Sequence, residues 1–359
     1  MLTGLKVLDM SRVLAGPVCG MMLGDLGADV IKVERPDAGD ETRGWGPPFD
    51  DRGESAYYLS VNRNKLSLTA DLRLPADRAL LVRLAEHADV LVENFRPGTL
   101  DRHGLSWEVL KGANPRLVWC SITGFRGGSL RPGYDFVVQA ESGWMSITGE
   151  PGGEPMKHGL ALADVLAGKD AAVSVLAALV ARATSGVGRR VEVSLQASAE
   201  AALVNVAQNV LVSGTPAGRW GNAHANLVPY QLFRASDRPL VIAVGSDAQW
   251  TACARTLALA MADDETLRTN AGRVVARDRV VAAIATRVAE RTADEWIARL
   301  DAAGVPCGVV RSVSDVLDAV DASARSGLPP SVPGAVRRNP PVLGEHTVRI
   351  RTAGWAAFG

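Results

Sequence analysis

The chain has 359 residues, 47% hydrophobic and 22% charged, which suits a folded globular protein with one large core or two domains. Its 39 basic and 39 acidic residues cancel, so bulk charge gives no reason to expect nucleic acid as a partner. No apolar run approaches the length of a membrane span, and the start MLTGLKVLDMSRV lacks the basic head and continuous apolar core of a signal peptide. Cys19, Cys120, Cys253 and Cys307 lie far apart with no CxxC spacing and no histidine partner. Reduced thiols in a cytoplasmic protein are expected, with neither a zinc site nor a disulfide framework.

In chain order, residues 5–10 read as a short apolar strand. Gly16-Pro17 opens a helix running to about Leu26, and residues 29–34 form a second strand. Strand, helix and strand within about thirty residues make a βαβ unit with parallel pairing. Its turn does not spell GxGxxG, so a nicotinamide or flavin dinucleotide is not expected. A polar loop covers residues 39–55. Strands are then predicted at residues 66–70, 89–93 and 117–122, and helices at 75–88 and 106–111. One amphipathic helix is predicted over residues 134–145.

The stretch from Met156 to Leu195 reads as loop, helix, turn and strand, with Asp164 at the front of the helix between Ala163 and Val165. A carboxylate there is either an N-cap or a reagent. The small residues Gly159, Ala161, Ala163, Ala167 and Gly168 leave room for a ligand to approach it. The helix dipole would help to keep it ionised. Ser142-Gly143, Gly149 and Gly152-Gly153 are candidate backbone donors to an oxyanion nearby. A basic set, Arg12, Lys32, Arg35, Arg43, Arg63, Lys65, Arg73, Arg96 and Arg102, falls mostly just after predicted strands. Ligands bind there in open α/β sheets, and arginines suit phosphate; a solvated mixed-charge surface is the other reading. The five histidines have no metal-ligand spacing, so no metal is expected.

A helical run follows at residues 198–212, then the loop GTPAGRWGNAHANLVPYQLF. Beyond it a strand is predicted at 239–245, a helix containing Trp250, helices at about 265–271 and 278–291, and a helix capped by Thr292 and Glu295. A strand at 305–310 and a helix capped by Ser312 and Asp315 complete the series. The fold expected is α/β: a large Rossmann-like domain with a parallel sheet plus a smaller α+β domain, joined by long linkers. The boundaries are 1–195 for the large domain, 196–224 for a linker helix and loop, 225–320 for the small domain and 321–359 for a C-terminal linker returning to the large domain.

Several ordered blocks carry a family resemblance. They are Leu5-Lys6-Val7-Leu8-Asp9 with Ala15-Gly16-Pro17; Leu26-Gly27-Ala28-Asp29-Val30-Ile31-Lys32-Val33-Glu34; Gly39-Asp40 with Thr42-Arg43; and Asn62-Arg63-Asn64-Lys65. Val92-Glu93-Asn94-Phe95-Arg96-Pro97-Gly98, Gly133-Tyr134-Asp135, Ala163-Asp164, Gly221-Asn222, Val228-Pro229-Tyr230 and Gly304-Val305-Pro306-Cys307-Gly308 continue the series. In these the chain resembles the class III CoA-transferase superfamily, which includes formyl-CoA transferase, carnitine CoA-transferases and α-methylacyl-CoA racemase.

The resemblance implies transfer of CoA from an acyl-CoA donor to a small carboxylic acid through a covalent aspartyl intermediate, a mixed anhydride and then an enzyme–CoA thioester. It assigns Asp164 as the catalytic carboxylate and CoA as substrate. It also implies CoA contacts from Val13, Ala15, Arg35, Ala70, Arg73, Asn94, Phe95, Arg102 and Tyr134, and an interlocked homodimer. The racemases carry a His where this chain has Tyr134, which favours transfer over racemisation. Leu14 replaces the Gln of formyl-CoA transferase, and no glycine-run loop is evident, which argues against formyl or oxalyl specificity. His224 and Tyr230 are candidates for the acid side. An acyl-CoA racemase and a non-catalytic CoA-binding homologue are the alternatives.

Overall fold

The computed structural model describes all 359 residues. The chain runs β1 (Lys6–Asp9), α1 (Ala15–Asp25), β2 (Asp29–Glu34), α2 (Ala56–Leu59), β3 (Lys65–Thr69), α3 (Pro75–Glu86), β4 (Val90–Glu93), α4 (Thr99–Arg102), α5 (Trp107–Ala113) and β5 (Val118–Thr123). It continues through α6 (Asp135–Glu141), α7 (Trp144–Ile147), α8 (Leu162–Ser185), β6 (Arg190–Ser194), α9 (Leu195–Ala201) and α10 (Val204–Ser213). Then follow β7 (Tyr230–Arg234), β8 (Pro239–Ala243), α11 (Asp247–Thr256), α12 (Asn270–Val275), α13 (Arg277–Val288), α14 (Ala293–Ala302), β9 (Cys307–Val309), α15 (Val313–Leu317) and α16 (Thr347–Ala353).

Two compact units result. One comprises Met1–Met145, Lys157–Thr215 and Leu317–Gly359; the other comprises Ser146–Met156 and Pro216–Val316. The first holds a six-stranded sheet in the order β3-β2-β1-β4-β5-β6, with every pairing parallel. Alternation along each strand splits the core. Val7, Val30, Val90 and Val92 face a layer that includes Cys19 and Leu23 of α1 and Ala167, Ala171 and Val175 of α8. Leu8, Ile31 and Leu91 face Leu81 and Leu84 of α3, Leu110 of α5 and Ile350 of α16. Sheets covered on both faces need such continuous apolar strands.

Helices α1 and α8 approach closely because small residues line their contact. A Cβ added at Gly168 would lie 2.5 Å from the Ala15 carbonyl oxygen. Ala163, Ala167 and Gly168 are thus buried in helix packing; they do not open a path for substrate, contrary to the expectation from sequence. The N-terminal turn of α8 is thereby fixed beside the start of α1.

In the second unit, β7, β8 and β9 form an antiparallel sheet, and Trp250, Ile284 and Trp296 lie in its core. The sequence reads as loop through Phe233; ladder pairing of Tyr230–Arg234 with Pro239–Ala243 instead makes residues 230–234 a strand. The predicted helix at 134–145 is two short helices, because Gly143 takes φ +86° between them. The run at 198–212 likewise breaks into α9 and α10 at Val204, φ +35°. Residues 265–271 are a 3-10 turn over Glu265–Leu267 followed by the start of α12.

The units also divide differently from the sequence boundaries. Ser146–Met156 belongs with Pro216–Val316, because the Arg219 guanidinium donates to the carbonyls of Glu150 and Gly153 and Gly221 N–H donates to Gly149 O. Helices α9 and α10 belong to the first unit.

Candidate active site

The strand order reverses direction between β1 and β4. Open α/β sheets bind ligands at such a switch point, outside the carboxyl ends of the strands. The loops leaving these two strands, residues 10–14 and 94–98, meet there. Arg12 N–H donates to Asn94 Oδ1 at 2.8 Å, and Asn94 Nδ2 returns a bond to Arg12 O at 2.7 Å. Ser11 N–H is held by Asp9, and Val13 N–H donates to both oxygens of Asp40 at 3.2 Å. These anchors hold Val13 at φ +68°, a costly conformation for a β-branched residue and one that clusters at functional sites.

A cavity of about 250 Å³ opens at this point, lined by both loops, by Tyr134 and by Asp164. Of the sequence-predicted residues, Val13, Ala15, Asn94, Phe95, Tyr134 and Asp164 share it. Arg35 and Ala70 line a second cavity of about 210 Å³. Arg12 and Phe95 belong to the walls of both, with the Arg12 guanidinium 5.8 Å from the Phe95 ring centroid. Arg73 and Arg102 line neither; Arg73 is exposed in a forked pair with Asp71, and Arg102 is exposed beside Thr99.

The predicted basic set also divides. Lys32, Arg43, Arg63 and Lys65 are buried and committed to Asp40, Glu34, Asp25 and Asp9. They hold loops against the sheet and offer no charge to a phosphate. Arg12, Arg35 and Arg96 remain on the cavity walls.

Of the two readings of Asp164 from sequence, N-cap or reagent, the structure does not bear out the cap. The N-cap residue of α8 is Ala161, which has no capping side chain. Asp135 supplies the cap from a distance, its Oδ1 accepting Ala163 N–H at 2.8 Å and Asp164 N–H at 3.2 Å. The Asp164 carboxylate is therefore not used in capping its own helix. It is partly buried, faces Asp135, and accepts the Ala15 backbone N–H. Burial and the Asp135 charge push its pKa up to about 7, with the Ala15 N–H opposing them. The helix dipole, expected from sequence to keep it ionised, is outweighed here by burial and a like charge.

Tyr57 is a further neighbour that carried no signal in the sequence. Burial, then the charges of Asp164, Asp135 and Asp40, push its phenol up to about 12, so it stays a hydroxyl. It packs with Val13, Leu14 and Ala161 in a small apolar cluster. Gly149, Gly152 and Gly153 belong to the second unit, while Asp164 lies in the first. His158 is exposed, its N–H donating to Gln139 Oε1. In the second unit His224 packs against Tyr230, ring centroids 5.2 Å apart. No group of three or more His, Cys, Asp or Glu comes together to hold a metal ion.

A reachable carboxylate beside two cavities that share Arg12 and Phe95 as walls suits acyl transfer on a large anionic ligand. Comparison with known proteins agrees. Residues 2–347 match the family model for CoA-transferase family III. The chain is 39% identical over 379 residues to the succinate–glutarate CoA-transferase of Agrobacterium fabrum, covering 97% of this chain and 94% of that one. It is 40% identical to the human succinyl-CoA:glutarate CoA-transferase, covering 97% and 85%. A solved CAIB/BAIF family protein from Brucella suis superposes with a TM-score of 0.86 at 41% identity, covering 98% of each chain. A parallel sheet with this switch-point site and an end-to-end match identify the chain as a member of CoA-transferase family III, an enzyme that moves CoA between acids.

Proposed function

We propose that Asp164 is the nucleophile and that the enzyme exchanges CoA between dicarboxylic acids, with succinyl-CoA as a donor. The observation that carries the first part is the placement of the one carboxylate that α8 presents to the switch-point cavity, released from capping by Asp135. Its oxygen attacks the thioester carbonyl, the C–S bond breaks, and CoA leaves as thiolate from a mixed anhydride. The thiolate attacks the aspartyl carbonyl and expels the donor acid, which leaves CoA on Asp164 as a thioester. The acceptor carboxylate attacks that thioester, and the released thiolate then attacks the acceptor's own carbonyl in the new anhydride. No proton is gained or lost overall, and the thioester's free energy is kept.

The two adjacent cavities, which share Arg12 and Phe95, support a CoA path. Arg35 and Ala70 would lie at the nucleotide end, Phe95 at the junction, and Val13, Ala15, Asn94 and Tyr134 around the thioester. Arg96 on the cavity wall, which has no ion-pair partner, supports an acidic substrate, as do the dicarboxylic acids in the relatives' names. A homodimer is supported by α10, which has no buried residue and exposes Val204, Leu211 and Val212 by 70–77%. Four free thiols, three of them buried, support a reducing compartment such as the cytoplasm.

The test is trapping. The enzyme is incubated with succinyl-CoA, quenched with hydroxylamine and digested. A hydroxamate on the Asp164 peptide supports the reading, whereas a hydroxamate on any other residue overturns it.

A further inference from the structure

Resting on the reading of Asp164 as nucleophile, we propose that Asp135 is a positioning residue for the reaction: it anchors the first turn of α8 and, as a second carboxylate facing Asp164, drives the nucleophile toward its neutral covalent forms.

Asp135 begins α6, immediately after Gly133-Tyr134. A Cβ at either Gly124 or Gly133 would meet the other's backbone at 2.3 Å or less, so the two ends of the loop between β5 and α6 touch there and fix where α6 begins. From that position one oxygen of Asp135 accepts two N–H groups of α8 and the other accepts Gln139 Nε2 at 2.6 Å. Gln139 is fully buried. Its amide donates to Leu160 O at 3.2 Å and accepts His158 N–H at 2.7 Å. Both Asp135 oxygens are used only as acceptors, the pattern of a carboxylate. The same side chain therefore ties α6, the loop before α8 and the backbone N–H of Asp164 together, and brings a fixed negative charge to the nucleophile.

The charges around Asp164 do not cancel this one. The loop after β4 brings Arg96 to the same cavity without an ion-pair partner, yet only burial, Asp135 and the Ala15 N–H shift Asp164. The loop after β1 brings Arg12, but its guanidinium is paired with Glu41. The loop before α6 brings Arg131, which is paired with Glu141. The segment containing α2 brings Tyr57, a neutral phenol. The start of α1 contributes only the Ala15 N–H. Ionised Asp164 thus sits beside a carboxylate with no dedicated cation. Acylation to the anhydride, or formation of the CoA thioester, removes one of the two charges and relieves the repulsion. A more basic carboxylate is also the better nucleophile once ionised.

The experiment compares wild type with Asp135→Asn and Asp135→Glu. Asparagine keeps an oxygen for the α8 N–H groups and removes the charge; glutamate keeps the charge. In Asp135→Asn the acid limb of the pH–rate profile moves down by roughly one pH unit or more. For each pH unit that it moves, the CoA-labelled fraction of Asp164 in equilibrium with succinyl-CoA and succinate at pH 8 falls about tenfold relative to free carboxylate. Asp135→Glu keeps the high limb. A folded Asp135→Asn with an unmoved limb and an unchanged labelled fraction overturns the proposal. Should that variant not accumulate, infrared spectra of the native enzyme decide. A neutral carboxylic acid band at pH 6 that disappears on acylation is expected, and its absence refutes the idea. The two readings fail separately: no wild-type adduct on Asp164 sinks the nucleophile, whereas a normal adduct with an unresponsive Asp135→Asn sinks only the role of Asp135.

Discussion

Replacing Asp164 with Asn is expected to stabilise the protein while abolishing turnover, and the stabilisation is expected to grow with pH. Folded Asp164 holds its proton up to about pH 7, against a reference value of 3.8. Between those two values the folded chain binds more protons than the unfolded chain, so stability falls as pH rises. The cost starts near the lower value, increases through neutrality and levels off above pH 7. Linkage sets it at about 1.7 kcal/mol at pH 5 and about 4 kcal/mol at pH 8, ceilings for a side chain that is only partly buried. Asparagine cannot ionise and can still accept the Ala15 N–H. Its advantage over wild type should therefore widen by about 2.5 kcal/mol between pH 5 and pH 8. In melting temperature that is roughly 5–10 °C for a unit of this size. Thermal unfolding of both proteins at pH 5, 6, 7 and 8 measures it, and only the change of the difference with pH matters, since steric effects of the substitution do not titrate. A constant difference across that range, or a wild-type advantage that increases with pH, would refute the electrostatic account of the site.

The same environment predicts a rate profile: kcat/KM for succinyl-CoA rises about tenfold per pH unit below a limb near 7 and flattens above it, and a limb near 4 would contradict this. Phe95→Ala, which removes the shared wall of the two cavities, should raise KM for acyl-CoA by roughly tenfold with kcat changed less, measured by steady-state kinetics. Arg63→Ala should leave Asp25 buried without its forked partner and release the carbonyls of Ser326 and Leu328. A loss of about 3–5 kcal/mol in denaturant unfolding is expected, with kcat of the remaining folded enzyme preserved.

The parallel sheet was legible because its strands are short apolar runs spaced by helical segments, and residues 29–34 read as a strand both in sequence and in structure. Strand β7 was not legible. Tyr230–Arg234 follows the Val228-Pro229 punctuation and buries only Phe233, so it has no sustained alternation, and its identity comes from pairing with β8. At the site, Asp164 stood out as an Asp in an apolar helix start, but its environment did not. The cap that frees it comes from Asp135, twenty-nine positions earlier, a contact no local pattern encodes. Arg63 and Lys65 illustrate the converse error. As charges near strand ends they read either as ligand contacts or as solvated surface, yet both side chains turn inward to Asp25 and Asp9. Sequence marks where a charge lies along the chain; only packing decides whether it faces a ligand or a buried partner.

The central claim, that Asp164 carries the acyl group and then CoA, is tested most directly by following oxygen. In the sequence of steps given above, the acceptor's carboxylate oxygen becomes the bridging oxygen of the second anhydride and stays on the enzyme when CoA leaves with the acyl group. With ¹⁸O-labelled glutarate as acceptor and succinyl-CoA as donor, a single turnover should deposit one ¹⁸O in the side chain of Asp164, read by mass spectrometry of the digested protein. Complete turnover with an unlabelled Asp164, or with the label on another residue, would contradict it.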